Sequence, residues 1–324
     1  MSTATQVEPG YIALEGGDSR VEVVPTDGVL VRSLHLFGRE WLLQPSVARA
    51  AARAQGVHPT SDFGWIECAP VAGGGTVPSW VKGIGGQQFK PGGELRSRMP
   101  ELALATDDEG HKLTSTWLGA RAPWMLSRTL LVRPDGAVEA RYEARATGRD
   151  RLPFLWSLWL SLPLTSDTRL RLPDTARMRV SQAEGCAIPS ERADRPTRWP
   201  QLTVDEKARD LSVPASLPRS ARLQAWVATS SARSQFQVIE DDSRLSIATD
   251  GAGVPFVGVH VDRPGLGRAR RGGLRRRGVP ALTLAFSLGA PDTYAQALGD
   301  WQSITWLVPG EPRRWTITIR GGAA

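Results

Sequence analysis

Tryptophan supplies the first candidate chemistry in this chain, which carries twelve tryptophans against three tyrosines. Indole is large, flat and apolar, with a single N–H donor. It can fill the space between sheets, or it can wall a cleft where its face packs on the C–H face of a sugar ring. Trp65 and Trp80 lie in Gly- and Pro-rich, loop-like stretches, Asp62–Pro70 and Gly73–Gly86, which suit a cleft wall better than a regular strand does. Trp156 has only apolar close neighbours within Leu152–Pro163 and reads as core. Trp117, Trp124, Trp226, Trp306 and Trp315 alternate within strand-like segments and read as packing. The chain has four histidines, His35, His58, His111 and His260. His260 projects opposite the valines of its strand, so it could reach a central cavity as an acid or serve as a satisfied structural histidine.

Other chemistries find no support. There is no Ser-His-Asp order, phosphate loop, dinucleotide fingerprint or metal-ligand spacing, so neither a cofactor nor a metal is expected. Cys68 and Cys186 lack redox or metal spacing and read as free thiols of a reducing cytosol. The net charge of +7 and pI near 10.1 raise the question of a polyanionic partner. Only Lys82, Lys90, Lys112 and Lys207 are lysines, and the arginines are dispersed among acids except in one place. Arg268, Arg270, Arg271, Arg275, Arg276 and Arg277 crowd around Gly272 and Gly273. That Arg268–Arg277 cluster could clamp phosphate bidentately, bind nucleic acid, or form a solvated loop between strands.

The elements that must position these residues are strands. Val138, Ala140, Tyr142 and Ala144 alternate with charged residues, and Pro134-Asp135-Gly136 supplies a turn, so Thr129–Ala146 predicts a hairpin. Trp315, Ile317 and Ile319 alternate in the last strand, as do Leu245 with Ile247, and Val257, Val259 and Val261. Leu152–Pro163 reads as one buried strand. Helical signal is sparse: Ser46 could cap Val47–Gln55, and Asp292 could cap Thr293–Leu298. Gly185–Ser220 is Pro-rich, charged and weakly periodic, and reads as a long surface excursion. No stretch approaches the roughly 20 apolar residues of a membrane span, and Met1–Gly10 lacks a leader pattern. Many short strands between turn signals predict an all-β sandwich, one domain over residues 1–324, in the cytoplasm.

Four local patterns, in order, resemble the aldose 1-epimerase (galactose mutarotase-like) superfamily. Val21–Pro25, Gly28–Leu36 and Gly38-Arg39-Glu40-Trp41 look like its opening strands and turn. Phe63-Gly64-Trp65-Ile66-Glu67-Cys68-Ala69-Pro70, followed by Gly93-Glu94-Leu95, resembles its "G-G-W-D-E-x-x-P" segment. Leu152–Pro163, then Leu170-Arg171-Leu172-Pro173, is similar to the central strand and the "L-x-L-P" after it. Trp306-Leu307-Val308-Pro309-Gly310-Glu311, leading to Trp315, looks like the closing "L-x-P-G-E-x-x-x-W" strands. The resemblance implies a large antiparallel β-sandwich whose concave face binds a sugar, and the Arg268–Arg277 cluster raises the option of a phosphorylated one.

It also implies where acid–base residues should be. In the family, one histidine helps hold the sugar, a second protonates the ring oxygen, and a late glutamate deprotonates the anomeric hydroxyl. Here Gly92 stands in the first position, Trp159 in the second, and Ser287 or a neighbour in the third. The resemblance therefore implies sugar binding with anomer interconversion altered or lost. By their places in the matching segments, Glu67 and Glu94 are the carboxylates expected to face the cleft, as ligands of sugar hydroxyls or as a displaced base. Arg96, at strand spacing from Glu94, could bind the same ligand or pair with Glu94. Trp159 is a candidate stacking wall. An isomerase with a relocated pair drawn from Glu67, Glu94 and His260 stays open.

Overall fold

Alternating apolar and polar residues become two antiparallel sheets that share one core. The computed structural model describes residues 6–8, 10–44, 63–173, 176–189, 195–229, 233–250, 253–266, 270–271, 274–275 and 279–324. Among them, a twelve-stranded sheet has at its centre Trp65–Cys68, Ser157–Pro163, Val279–Ser287, Phe256–Leu266, Arg222–Ala228 and Arg177–Glu184, side by side in that order. The opening strands Tyr11–Gly16, Ser19–Val24 and Leu30–Leu36 extend it on the Trp65 side. An eight-stranded sheet runs from Arg169–Arg171 through Arg233–Glu240, Ser243–Asp250, Arg313–Ala323, Val138–Ala146, Trp124–Val132 and Gly110–Leu118 to Glu101–Asp107. No helix of the described residues is long and apolar enough to cross a membrane.

Side-chain parity explains the sandwich. Strand residues two apart share a face. Val138, Ala140, Tyr142 and Ala144 bury against Leu158, Leu160 and Leu162, Val257, Val259 and Val261, and Leu282, Leu284 and Phe286 of the opposite sheet. The Thr129–Ala146 hairpin forms as expected, pairing Val132 with Val138 and Leu130 with Ala140. Gly136 turns at φ 79°, a left-handed value that costs glycine little. At mid-core, Tyr142 stacks on Trp315 (5.2 Å, 7°), and Trp156 tilts against both at 4.6 and 4.8 Å.

Several expectations are corrected. Leu152–Pro163 is two strands: Leu152–Phe154 pairs with Thr305–Leu307, and Ser157–Pro163 enters the large sheet. The short helix is Tyr294–Leu298, and its cap is Thr293, whose hydroxyl accepts from the Gln296 N–H, rather than Asp292. Gly185–Ser220 is more than a surface excursion. It folds a hairpin, Gln201–Val204 with Lys207–Asp210, and buries Trp199, Leu202, Val204, Leu211 and Leu217 in the common core. The charged residues between those anchors hide the apolar period. Residues 46–55 and His58 lie outside the described residues. So do Arg268, Arg276 and Arg277 and the side chains of Arg270, Arg271 and Arg275, although the backbone of Arg270–Arg271 pairs with Leu274–Arg275.

Candidate functional site

The outer face of the large sheet, turned away from the core, gathers the aromatic and polar residues that its alternation leaves over. The register aligns Ile66, Trp159, Ala285, Gly258, Trp226 and Arg179 in one row across adjacent strands. The next row aligns Ser161, Thr283, His260, Gln224 and Gln182. In the first row two small residues separate two indoles. The His260 ring occupies that gap, edge-on to Trp159 at 5.1 Å and to Trp226 at 5.3 Å. Glycine at 258 is what makes room: a Cβ there would stand 2.6 Å from His260 Nε2.

His260 is only 8% exposed, and its Nε2 has no hydrogen-bond partner. Desolvation pushes its pKa down to about 3, so the ring is neutral at physiological pH. The Trp226 indole N–H is also buried and unpaired, whereas Trp159 donates to Ser157 Oγ at 2.8 Å. Trp159, His260, Thr283, Gln224, Arg222 and Asp262 help to line a cavity of about 160 Å³. Arg222 reaches Asp262 Oδ1 at 3.3 Å and Glu184 Oε2 at 3.6 Å. Beyond Trp226, Phe256 and Trp301 continue the aromatic lining around Ala290, with the Arg179 guanidinium 4.3 Å over Trp301.

At the other end, Ile66, Cys68 and Ala72 pack against Trp159. Burial pushes the Cys68 thiol up to about 12, with the Asp292 carboxylate adding to it. Asp292 Oδ1 is itself enclosed without a partner, and desolvation raises that carboxyl to about 7. Gly73 accommodates it, since a Cβ there would lie 2.9 Å from Asp292 Cβ. A larger cavity, about 720 Å³, opens elsewhere between Leu172, Arg198, Trp199 and Gln201. It shares no lining residue with the cleft.

The structure brings Trp159 and His260 together and sends the other expected site residues elsewhere. Trp65 and Glu67 lie on the core side of their strand. Glu67 accepts from Arg128 Nη1 (2.8 Å), Tyr142 Oη (2.9 Å), Trp65 Nε1 (3.2 Å) and Trp156 Nε1 (3.4 Å). Glu94 is buried too, accepting from the Ala120 and Arg121 backbone N–H groups and from Trp124 Nε1. Arg96 sits in the 3-10 turn Leu95–Ser97, not on a strand, and reaches Asp27 Oδ1 at 3.5 Å rather than Glu94. Trp80 is 62% exposed and does not line the cleft cavity. Gly92 turns beside Ala72, donating its N–H to that carbonyl at 2.7 Å. Ser287 Oγ lies 2.9 Å from the Trp156 carbonyl and 2.7 Å from that of Gly289.

Trp226 is packing as read, but on the outer face: Leu223, Ala225 and Val227 take the core face of its strand, and its indole buries against Ala285 and Ala290. Its parity with Arg222 and Gln224 was the available signal. Trp117, Trp124, Trp156 and Trp315 are core as read, while Trp306 lies partly buried under Arg151, at 4.6 Å.

No protein-family model and no curated protein sequence matches the chain. Solved structures do. A putative aldose 1-epimerase from Escherichia coli K12 superposes at TM-score 0.63 and 15% identity, covering 97% of this chain and 99% of that one. Galactose 1-epimerase from Lactobacillus acidophilus NCFM gives 0.62 at 12% identity over 100% and 98%. An aldose epimerase homologue from C. elegans gives 0.61 at 12% over 97% and 99%. The likeness is one of fold, and it spans both chains from end to end. The all-β sandwich of this protein is the fold that these epimerase and mutarotase-like structures share, as its four sequence patterns implied.

Proposed function

We propose that the protein binds a small sugar in the cleft that Trp159 and His260 line, and that it does not interconvert anomers at the pace of a mutarotase. The observation that carries this reading is the outer-face row itself. Flat indoles flank small residues beside polar atoms that the protein leaves unpaired. Pyranose rings suit such a setting, because their C–H faces pack on indole while their hydroxyls satisfy the donors and acceptors around them.

The case for diminished turnover is chemical. Ring opening needs one group to donate a proton and another to accept one, each worth about 10²–10⁴-fold. Gly92, Trp159 and Ser287 occupy the positions where the resemblance places the family's proton-handling and sugar-holding side chains. Glu67 and Glu94 already accept from buried donors. An imidazole whose pKa is near 3 carries no imidazolium proton at pH 7, so His260 is a poor general acid there. Polarimetry on freshly dissolved α-glucose and α-galactose, with saturation-transfer NMR for binding, tests both halves. Binding without faster mutarotation is expected, and anomer interconversion at normal mutarotase rates overturns the second half.

One observation favours a second reading, an isomerase with a relocated proton carrier. The Asp292 carboxyl is tuned to about 7 and keeps an unpaired oxygen near Cys68, at the Trp159 end of the cleft. In that case Asp292→Asn abolishes whatever residual mutarotation the wild type shows. Under the leading reading it changes nothing in the polarimeter.

A further inference from the structure

His260 is built into this cleft at a cost that packing alone does not repay. Its Nε2 is buried and unpaired, and leaving such a group unsatisfied is a net cost to the fold. The surrounding strands are arranged for the ring nonetheless. Gly258 clears the space beneath it, and the indoles of Trp159 and Trp226 hold it edge-on from both sides. An alanine at 258 would close that space, and an apolar side chain at 260 would fill it without an orphaned nitrogen. A ligand hydroxyl would remove the penalty.

The charge around the ring narrows the ligand. Trp159, Gln224, Trp226 and Thr283, from the three neighbouring strands, are uncharged. The charged groups sharing the cavity are Arg222 and Asp262, and they are ion-paired with each other at 3.3 Å. Glu184 takes Arg222 from its other side at 3.6 Å. A phosphate or carboxylate entering here would have to break that pairing and then face two carboxylates.

We infer that His260 is the hydroxyl-reading residue of the cleft, and that its Nε2 hydrogen-bonds an uncharged saccharide whose ring lies against Trp159. This rests on the proposed sugar-binding reading and adds to it the contact residue and the charge class. His260 acts as a binding and specificity residue. Because the ring stays neutral, affinity is flat from pH 5 to 9, a range in which a protonating histidine would impose a step.

Isothermal titration with methyl α- and β-glycosides of glucose and galactose tests it, since locked anomers report binding without turnover. The wild type, His260→Ala, His260→Gln and Gly258→Ala are compared, with circular dichroism confirming the fold of each. Expected is a loss of about tenfold or more in His260→Ala, the worth of one hydrogen bond of about 1.4 kcal/mol. Gly258→Ala, which displaces the ring without touching it chemically, should lose affinity likewise, and His260→Gln should regain part of it. Titrating the same glycoside into ¹⁵N-histidine protein should shift the His260 Nε2 resonance, which a purely structural ring would not show. If the wild type binds and both His260→Ala and Gly258→Ala fall within twofold of it, His260 is not the reader, although the sugar site survives. If glucose 6-phosphate or glucuronate binds more tightly than the glycosides, the uncharged class is wrong. If no monosaccharide binds the wild type at all, the sugar-binding reading fails and this inference falls with it.

Discussion

The two faces of the large sheet use the same kinds of residue to opposite ends. On the inner face, Glu67 is a buried carboxylate surrounded by tryptophan and tyrosine, and donors from Arg128, Tyr142, Trp65 and Trp156 converge on it. On the outer face, His260 is a buried imidazole between two tryptophans, and its Nε2 is unpaired. The first arrangement spends its polarity on holding the sheets together. The second keeps polarity in reserve, at the expense of stability, as a site awaiting a partner does. Burial and aromatic company are alike in the two places, so neither distinguishes scaffold from site. The two titratable groups themselves differ in pairing, since both Glu67 oxygens accept and His260 Nε2 does not, although the core-side Arg128 Nε, Trp117 Nε1 and Trp315 Nε1 are unpaired too.

The sharpest way to break this contrast is to unpair the inner face. Glu67→Ala leaves Arg128 charged, about 1% exposed and without its carboxylate, and should destabilise the fold by about 3–5 kcal/mol in urea denaturation. Replacing both members, Glu67→Leu with Arg128→Met, should recover much of that loss, because the desolvation of both charges disappears together. A Glu67→Ala protein with an unchanged urea midpoint would mean that the inner network does not hold the sheets.

Asp292 tests the opposite side of the comparison. Its carboxyl rises from an ordinary 3.8 to about 7 in the folded chain. Between those values the folded state holds a proton that the unfolded state has lost, so this group's contribution to stability falls as pH rises from about 4 to 7 and is level above. The full effect is at most about 4 kcal/mol. Asp292→Asn should remove that slope and be the more stable protein at pH 8. Urea midpoints of the two proteins across pH 4–8 measure it, and parallel curves would show that Asp292 is not strained.

The same contrast marks what the sequence could reveal. Strand parity was legible, so the valines at 257, 259 and 261 predicted both the core face and the outward placement of His260. The order of the four motifs carried the fold across the chain, although the three epimerase structures above are only 12–15% identical to it. The matching segment around Glu67 did not say which side of its strand faced the ligand. Trp65-Ile66-Glu67-Cys68 is buried throughout, so no alternation of polarity signals its orientation. Only the partner strand, which sets Ile66 opposite Trp159 and Glu67 opposite Leu158, turns the glutamate inward. The face that Trp226 packs on was hidden for a related reason, since an indole in a strand looks the same from either face until the neighbouring parity is read. The helix cap slipped by one residue because Asp292 and Thr293 are both good caps, and it is the Thr293 hydroxyl that reaches the Gln296 N–H.

His260 offers a milder perturbation, on the acid side. Its folded pKa of about 3 lies below the ordinary 6.5 of a histidine, so as pH falls through that window the unfolded chain takes up a proton that the folded chain refuses. Stability drops accordingly, by about 3 kcal/mol from pH 6.5 to pH 4. His260→Gln should flatten this limb without changing stability much at pH 8, and a saturating methyl glycoside should not restore the slope in the variant. If wild type and His260→Gln lose stability in parallel on acidification, the imidazole is not held neutral by its surroundings, and the distinction between the two faces weakens.

The smallest effect belongs to neither face. Arg320 and Asp135 form an ion pair at 2.8 Å, with their side chains 51% and 56% exposed. The pair resembles Glu67–Arg128 in distance, yet water screens it, and such pairs are worth about 0–1 kcal/mol. Asp135 also accepts the Ala137 N–H in the turn, so Asp135→Asn, which keeps an acceptor there, isolates the charge. That variant should move the urea midpoint barely, and less still in 0.5 M salt, about five times the ionic strength at which the screening length is ~10 Å. A loss approaching that of Glu67→Ala would mean that charge pairing stabilises this sandwich regardless of burial. In that case the contrast between its two faces would be one of geometry rather than of solvent.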